Sequence, residues 1–133
     1  MLREVTYKNQ KLAIYIPHDY SPEQRSSFLT GQNESFQLGF IAKKKLDRVP
    51  LHRHKEQVRK LTSTSEFLLV RSGSCKVFVN SDDNLFSEHF DCHPGDMILL
   101  LSGSHRIEFS EDTVLVEVKQ GPYIQDADKE LLE

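Results

Sequence analysis

A chain of 133 residues can fold as one domain with its own hydrophobic core, because single domains commonly contain about 100–150 residues. The hydrophobic fraction of 38% and the charged fraction of 28% are typical of a globular protein and exclude a disordered one. The net charge of −3 argues against a general affinity for polyanions, so we expect no nucleic acid and no membrane as a partner.

The amino terminus and the cysteines predict a cytoplasmic protein. Residues 1–10 lack the apolar stretch of a secretory signal. No apolar run approaches the roughly 20 residues that are needed to span a bilayer. Cys75 and Cys92 form no Cys-x-x-Cys motif, so we expect them to be reduced and packed as small hydrophobic residues.

The first half of the chain predicts strands that are joined by long polar connections. Residues 5–16 predict one or two strands, and residues 18–33 predict a long loop that could act as a lid or a dimer arm. Residues 35–43 and 49–54 predict two more strands. Residues 55–65 are polar and basic and predict a connection. Its Arg59 and Lys60 are expected to be solvated, and they could alternatively bind a carboxylate or phosphate of a substrate.

The second half predicts short strands that are separated by tight turns, a pattern typical of an all-β sandwich or barrel. The predicted strands are residues 66–70, 74–80, 85–92, 97–101, 104–110 and 113–119. Pro94 and Gly95 predict a turn, because proline presets φ and glycine admits a left-handed conformation. Residues 126–132 predict a short helix, because aspartates near its start suit the positive end of the helix dipole.

Two histidines in the predicted strand 49–54 are the first candidates for a functional site. Residues two apart in a strand point to the same side, with Cα atoms roughly 6.5–7 Å apart. His52 and His54 could therefore converge on one metal ion or one substrate. Glu66 and His105 could complete a set of four ligands. Imidazole nitrogens suit iron(II), manganese, nickel, copper or zinc, and the ligand types do not choose among them.

The spacing of these residues resembles the motifs of the cupin superfamily. The first cupin motif is His-x-His, then Glu, six residues and Gly; here "EFLLVRSG" places six residues between Glu66 and Gly73. The second motif is Pro-Gly-Asp followed by a His, and here it is "HPGDMILLLSGSH", which ends at His105. Two features depart from the pattern. Eleven residues separate His54 from Glu66, where the motif has only a few, and Phe109 stands where an Asn is common.

The resemblance implies an all-β fold, namely a cupin-type jelly-roll β-barrel of two antiparallel sheets with a short C-terminal helix. It implies a single cupin domain over residues 1–133. The parts of this domain are N-terminal strands at 5–16, a motif-bearing barrel at about 35–120 and a C-terminal tail at 121–133.

The resemblance also implies a metal site in the mouth of the barrel. Its ligands are His52, His54, Glu66 and His105, and the metal is one divalent ion such as iron, manganese, nickel or zinc. Four protein ligands leave one or two positions open for water or a small-molecule ligand, as in catalytic sites. The implied function is metal-assisted isomerisation or oxygenation of a small oxygen-rich molecule, such as a sugar.

A second resemblance leaves other functions open. "GSCKVFV" and "YIQDADKELL" are similar to cupin 3,4-ketoisomerases of nucleotide-linked 4-keto-sugars. In those enzymes the histidine pair moves protons without a metal, which implies catalytic roles for His52 and His54. A third hypothesis is a module that binds a small ligand without turnover. The sequence does not decide between an enzyme and a binding module.

A homodimer is expected, because cupins commonly pair and because Phe67 and Leu69 form an apolar face that needs cover. The second sheet of the same chain could also cover this face. Three residues of the predicted strand 35–43 are expected in the core of the barrel: Phe36, Leu38 and Phe40. Glu117 and Lys119 share a face of the last predicted strand, where they either reach the pocket or form a surface ion pair.

Overall fold

The computed structural model describes residues 1–23 and 26–133, and these residues form ten β-strands and no helix. The strands are β1 (Arg3–Tyr7), β2 (Gln10–Ile16), β3 (Ser26–Phe28), β4 (Gly39–Ile41), β5 (Glu66–Ser72), β6 (Cys75–Asn80), β7 (Ser87–Cys92), β8 (Met97–Leu100), β9 (Ser104–Phe109) and β10 (Val114–Lys119). The all-β class is thus confirmed. Across the described ranges we find no helix with the length and hydrophobicity that crossing a membrane would require.

The strands form three antiparallel sheets. The large sheet has the order β1-β2-β8-β5-β10, the small sheet has the order β7-β6-β9, and β3 pairs with β4 in a separate hairpin. The strands of the described residues do not close into a barrel. What is established is therefore an antiparallel all-β protein in which two main sheets share a core.

The main core lies between the large and the small sheet. In β6, buried residues alternate with partly exposed ones, as expected for a strand with one face in the core. Val77 and Val79 of β6 belong to one cluster with Leu68 of β5 and Ile98 of β8. Burying each such side chain stabilises the fold by about 1.5–3 kcal/mol. This packing holds the two sheets face to face.

A second cluster covers the outer face of the large sheet. Ile14, Ile16 and Leu99 are buried there, under side chains from the region of the β3–β4 hairpin. Phe36, Leu38 and Phe40 belong to this layer. They are apolar contacts as expected, but they pack on the outside of the large sheet instead of between the two main sheets.

Two predicted strands are wrong in the first half of the chain. Residues 49–54 form no strand, because Pro50 lacks an amide hydrogen for pairing and no neighbouring strand lies beside them. Of the predicted strand 35–43, only Gly39–Ile41 is a strand. The predicted loop 18–33 contains the short strand β3, and its residues 24 and 25 lie outside the described part of the chain.

The predicted C-terminal helix is absent from the structure. Residues 126–132 contain only a turn. Asp126 has a φ of 66°, which is incompatible with a right-handed helix. Leu131 and Leu132 are exposed, so no tertiary packing stabilises a helix of one or two turns.

The turn between β5 and β6 requires glycine. Gly73 has a φ of 81°, and a Cβ atom there would collide with the carbonyl oxygen of Asp112. This turn connects the large sheet to the small sheet, so Gly73 helps to set their face-to-face arrangement.

Candidate functional site

Glu66 and His105 meet between the two main sheets. Glu66 begins β5 and lies on the same face as the buried residues Leu68 and Val70. His105 lies on β9, opposite Val79 of β6, and so on the core face of the small sheet. The Nε2 atom of His105 is 3.2 Å from the Oε2 atom of Glu66. Two of the four predicted site residues are therefore brought together by sheet packing.

The surroundings of Glu66 favour its ionised form. The hydrogen bond from His105 is the main cause that lowers the pKa of Glu66 below its ordinary value, and the charge of Lys119 adds to it. Burial and the nearby charge of Asp128 act in the opposite direction. The net result is a carboxylate that is partly shielded from water and already deprotonated.

Lys119 links this pair to the C-terminal tail. It is the cross-strand partner of Glu66, and its Nζ atom lies 3.1 Å from Oδ2 of Asp128 and 3.4 Å from Oε1 of Glu117. The hydrogen bond to Asp128 is the main cause that raises the pKa of Lys119. The predicted ion pair between Glu117 and Lys119 is thus present, and Lys119 also lies beside Glu66 on the neighbouring strand. Asp128 was missed, because the sequence pattern placed it in a helix.

A cleft of about 540 Å³ lies beside His105. Its walls are formed by β9, by the end of β6 with the turn that follows, and by the last residues of the tail. Polar side chains that line it include Asn80, Asp82, Asn84 and Arg106. Amide, carboxylate and guanidinium groups can hydrogen-bond a ligand that carries several hydroxyl or carbonyl oxygens.

His52 and His54 lie close together in an exposed segment without helix or strand. Their ring centroids are 5.4 Å apart, with an edge-to-face arrangement. The Nδ1 atom of His52 lies 2.8 Å from the carbonyl oxygen of Pro50. Because a carbonyl only accepts, Nδ1 donates in this contact, and in a neutral imidazole the lone pair of Nε2 is then free for a ligand.

The four predicted residues therefore form two pairs. In the part of the chain that the structure describes, no group of three or more His, Cys, Asp or Glu residues is arranged to hold a metal ion. A site that is shared by His52, His54, Glu66 and His105 stays a prediction.

A buried polar network at the other end of the sandwich was missed by the sequence analysis. Asp96 is only 2% exposed and accepts hydrogen bonds from the amides of His18 and His93 and from the hydroxyl of Tyr15. Burial raises the pKa of Asp96, but these hydrogen bonds outweigh it, so the pKa lies below its ordinary value. The Pro-Gly-Asp pattern predicts the turn that contains Asp96, but it does not predict which residues donate hydrogen bonds to Asp96.

The chain matches no protein-family model, no curated protein and no solved structure. Three features of the molecule bear on its function: the pairing of Glu66 with His105, the exposed histidine pair and the cleft beside His105.

Proposed function

We propose that this chain is a small cupin with a jelly-roll fold that binds one divalent metal ion beside a small oxygen-rich ligand. The observation that carries this proposal is the contact between Glu66 and His105, which come from facing sheets. In this proposal the two residues form one half of the metal site. His52 and His54 supply the other half from the segment between β4 and β5.

The pair Glu66–His105 fits a metal ion by distance and by charge. Nitrogen and oxygen ligands lie about 2.0–2.2 Å from such ions, so two adjacent ligands are separated by about 3 Å. The observed separation of 3.2 Å is close to that value. The lowered pKa of Glu66 provides an anionic oxygen, and metal binding would replace the proton that His105 shares with it.

The chain length allows His52 and His54 to approach this pair. An extended chain spans at most about 3.3–3.6 Å per residue, so the connection from His54 to Glu66 can reach roughly 40 Å. The connection from Ile41, at the end of β4, to His52 is nearly as long. The insertion after His54 therefore does not prevent a shared site, although these histidines lie in a separate segment.

The residues of the chain have distinct roles in this proposal. A bound metal ion would polarise a carbonyl or hydroxyl oxygen of the ligand. Glu66 and His105 would hold the ion, and Lys119 would balance the negative charge of Glu66 and Asp128. The polar wall of the cleft, with Asn80 and Arg106, would bind the other oxygens of a sugar-like molecule.

Metal analysis of the purified protein tests the proposal. After incubation with iron, manganese, nickel or zinc and removal of free ion, we expect about one metal per chain. His105→Ala and the double change His52→Ala with His54→Ala should each lower the bound metal, whereas the exposed control His89→Ala should not. Wild-type protein that retains no metal under any of these conditions would exclude the metal site.

The close contact of His52 with His54 favours a second candidate function. Two imidazoles in one segment, separate from Glu66 and His105, could move protons in a nucleotide-linked 4-keto-sugar without metal. In that case His52→Asn should abolish isomerisation, and a chelator should leave the wild-type rate unchanged. Turnover that is sensitive to chelator would support the metal enzyme. Ligand binding without any product would support a binding module.

We also propose that the protein is a homodimer. Phe67 packs beneath the layer that covers the large sheet, so this part of the predicted apolar face is covered within one chain. Val116 and Val118, on the same face of β10, remain 38% and 49% exposed. In the described topology β10 is the edge strand of the large sheet. This edge can pair with the same edge of a second copy.

A further inference from the structure

The segment between β4 and β5 carries much of the positive charge of the chain. Residues 43–61, called here the basic segment, contain eight of the 17 Lys and Arg residues and two of the 20 Asp and Glu residues. The eight are Lys43, Lys44, Lys45, Arg48, Arg53, Lys55, Arg59 and Lys60. The other parts of the chain hold nine basic and 18 acidic residues. The net charge of −3 is therefore the sum of a strongly basic segment and an acidic remainder.

The basic segment is exposed along its whole length and has no helix or strand. The ion pairs found within the described ranges all use cations outside it. Its basic side chains are thus available to an anionic partner. Only Asp47 and Glu56 offset them locally.

Large aliphatic side chains are interspersed with these charges. Leu51 and Val58 are fully exposed, and Leu46 is 93% exposed. Single exposed apolar residues are common on protein surfaces, and here several of them lie within one basic segment. Basic residues combined with aliphatic ones suit a partner that has an anionic surface above an apolar interior.

We propose that the basic segment binds the surface of an anionic lipid bilayer. Lysine and arginine would contact the headgroups, and the aliphatic side chains would enter the boundary with the acyl chains. Nucleic acid is the less suitable polyanion, because single strands are bound mainly by stacking on Phe, Tyr and Trp, and residues 43–61 contain none of these three. The proposal departs from the expectation that we based on the net charge. It uses the same segment that carries His52 and His54, but vesicle binding by its lysines and leucines requires no bound metal.

The acidic remainder of the protein does not prevent this binding. The Debye length is about 8 Å at physiological salt, so charges further away are largely screened. The segment is anchored at Ile41 and Glu66, and a chain of this length can extend roughly 40 Å from its anchors. It can therefore contact a bilayer while the acidic remainder of the protein stays several Debye lengths from the anionic headgroups.

Co-sedimentation with vesicles tests the proposal. We expect the intact protein to sediment with phosphatidylcholine vesicles that contain about one third phosphatidylglycerol, and not with pure phosphatidylcholine. Salt at about 0.5 M should release it, because the electrostatic part of the attraction is then screened. Binding that is equal on both vesicle types, or on neither, would overturn the proposal.

Two variants separate the contributions of charge and of aliphatic side chains. Each basic residue contributes about fivefold to partitioning onto an anionic bilayer, so K43E/K44E/K45E should bind at least about a hundredfold more weakly. L51S/V58S should bind about tenfold more weakly. The control K8E/R71E/K129E makes the same change in charge at exposed sites elsewhere and should bind like the wild type.

The control also decides whether the segment or the total charge matters. An equal loss in K8E/R71E/K129E would overturn the assignment to the basic segment. Unchanged binding of L51S/V58S, or tighter binding to a single-stranded oligonucleotide than to the vesicles at equal salt, would overturn the assignment to lipid. Circular dichroism of K43E/K44E/K45E and of L51S/V58S should match the wild type, because residues 43–61 form no part of a sheet.

Discussion

Glu66 and His105 lie on facing sheets, 39 positions apart in the sequence, and their side chains are 3.2 Å apart. Neither residue is fully buried, and both lie at the end of the sandwich where β5 and β9 begin. The contact exists only when the two sheets are packed correctly. It therefore reports on the arrangement of the sheets as well as on the candidate site.

A double-mutant cycle should detect this contact in the metal-free protein. Glu66→Gln and His105→Ala should each lower the free energy of unfolding, and their combination should be non-additive by about 0.5–1.5 kcal/mol. Urea denaturation in the presence of a chelator measures the three variants. Strict additivity would mean that the two side chains do not interact in solution. Glu130→Gln, in the exposed tail, is a control that should combine additively with His105→Ala.

Asp96 should make the stability of the fold depend on pH. The pKa of Asp96 is lower in the folded state than in the unfolded state, so its contribution is present above the unfolded value of about 3.9. It is lost as the pH falls through the folded value. Asp96→Asn should lower the free energy of unfolding by about 2–3 kcal/mol at pH 7. The NH2 group of the asparagine donates, and it would face the backbone amides of His18 and His93, which also donate. The cost should shrink as the pH falls below the unfolded value of about 3.9.

Denaturation curves of Asp96→Asn and wild type at several pH values check this prediction. Asp91→Asn is the matched control, since Asp91 is a largely exposed aspartate on β7 and should change the stability little. Tyr15→Phe removes only one of the hydrogen bonds to Asp96 and should cost about 1 kcal/mol. A cost for Asp96→Asn that stays constant from pH 7 to pH 3 would contradict the role of its charge.

Local patterns predicted the second half of the fold well. The alternation in Cys75–Asn80, the glycine at 73 and the Pro94-Gly95 turn are short-range signals, and the strands beside them appear where expected. These signals work because a strand with one face in the core must alternate and because a tight turn needs special backbone angles. The strand prediction for residues 49–54 is wrong because an alternating pattern alone does not provide a neighbouring strand to pair with.

The candidate site was predictable only in part, for a related reason. The cupin-like spacing placed Glu66 and His105 at the ends of two strands, and sheet packing then brought them together. The position of His52 and His54 depends instead on the path of an exposed segment, which has no local signal. The position of Asp128 depends on the path of the tail. Asp126 adopts a left-handed backbone conformation there, and the expected helix does not form.

The two cysteines should be almost unreactive in the folded protein. Cys75 and Cys92 face each other across β6 and β7, and both are free and buried. Burial is the main cause that raises the pKa of Cys92 to about 12, and the nearby Cys75 adds to it. Very little thiolate then exists at neutral pH, so alkylation should be at least about a hundredfold slower than for an exposed thiol.

Thiol titration at pH 8 with and without denaturant checks this expectation. The unfolded protein should react promptly at both cysteines, and the native protein should react at the rate at which it opens. Cys75→Ala should leave Cys92 protected, because burial is the larger cause of its raised pKa. Rapid labelling of native Cys92 would contradict the position of β7 against the core.

The exposed valines of β10 should control the association of two copies. A stable interface buries at least about 1,000 Å² in total, and pairing of two β10 edges would extend the large sheet across both copies. Val116→Lys with Val118→Lys places charges on that face and should convert a dimer into a monomer, as measured by light scattering at several concentrations. Leu85→Lys with Leu132→Lys adds the same charges at other exposed apolar positions and should leave the dimer intact. A wild-type protein that is monomeric at every concentration would exclude this interface, and the valines would then be ordinary exposed residues of an edge strand.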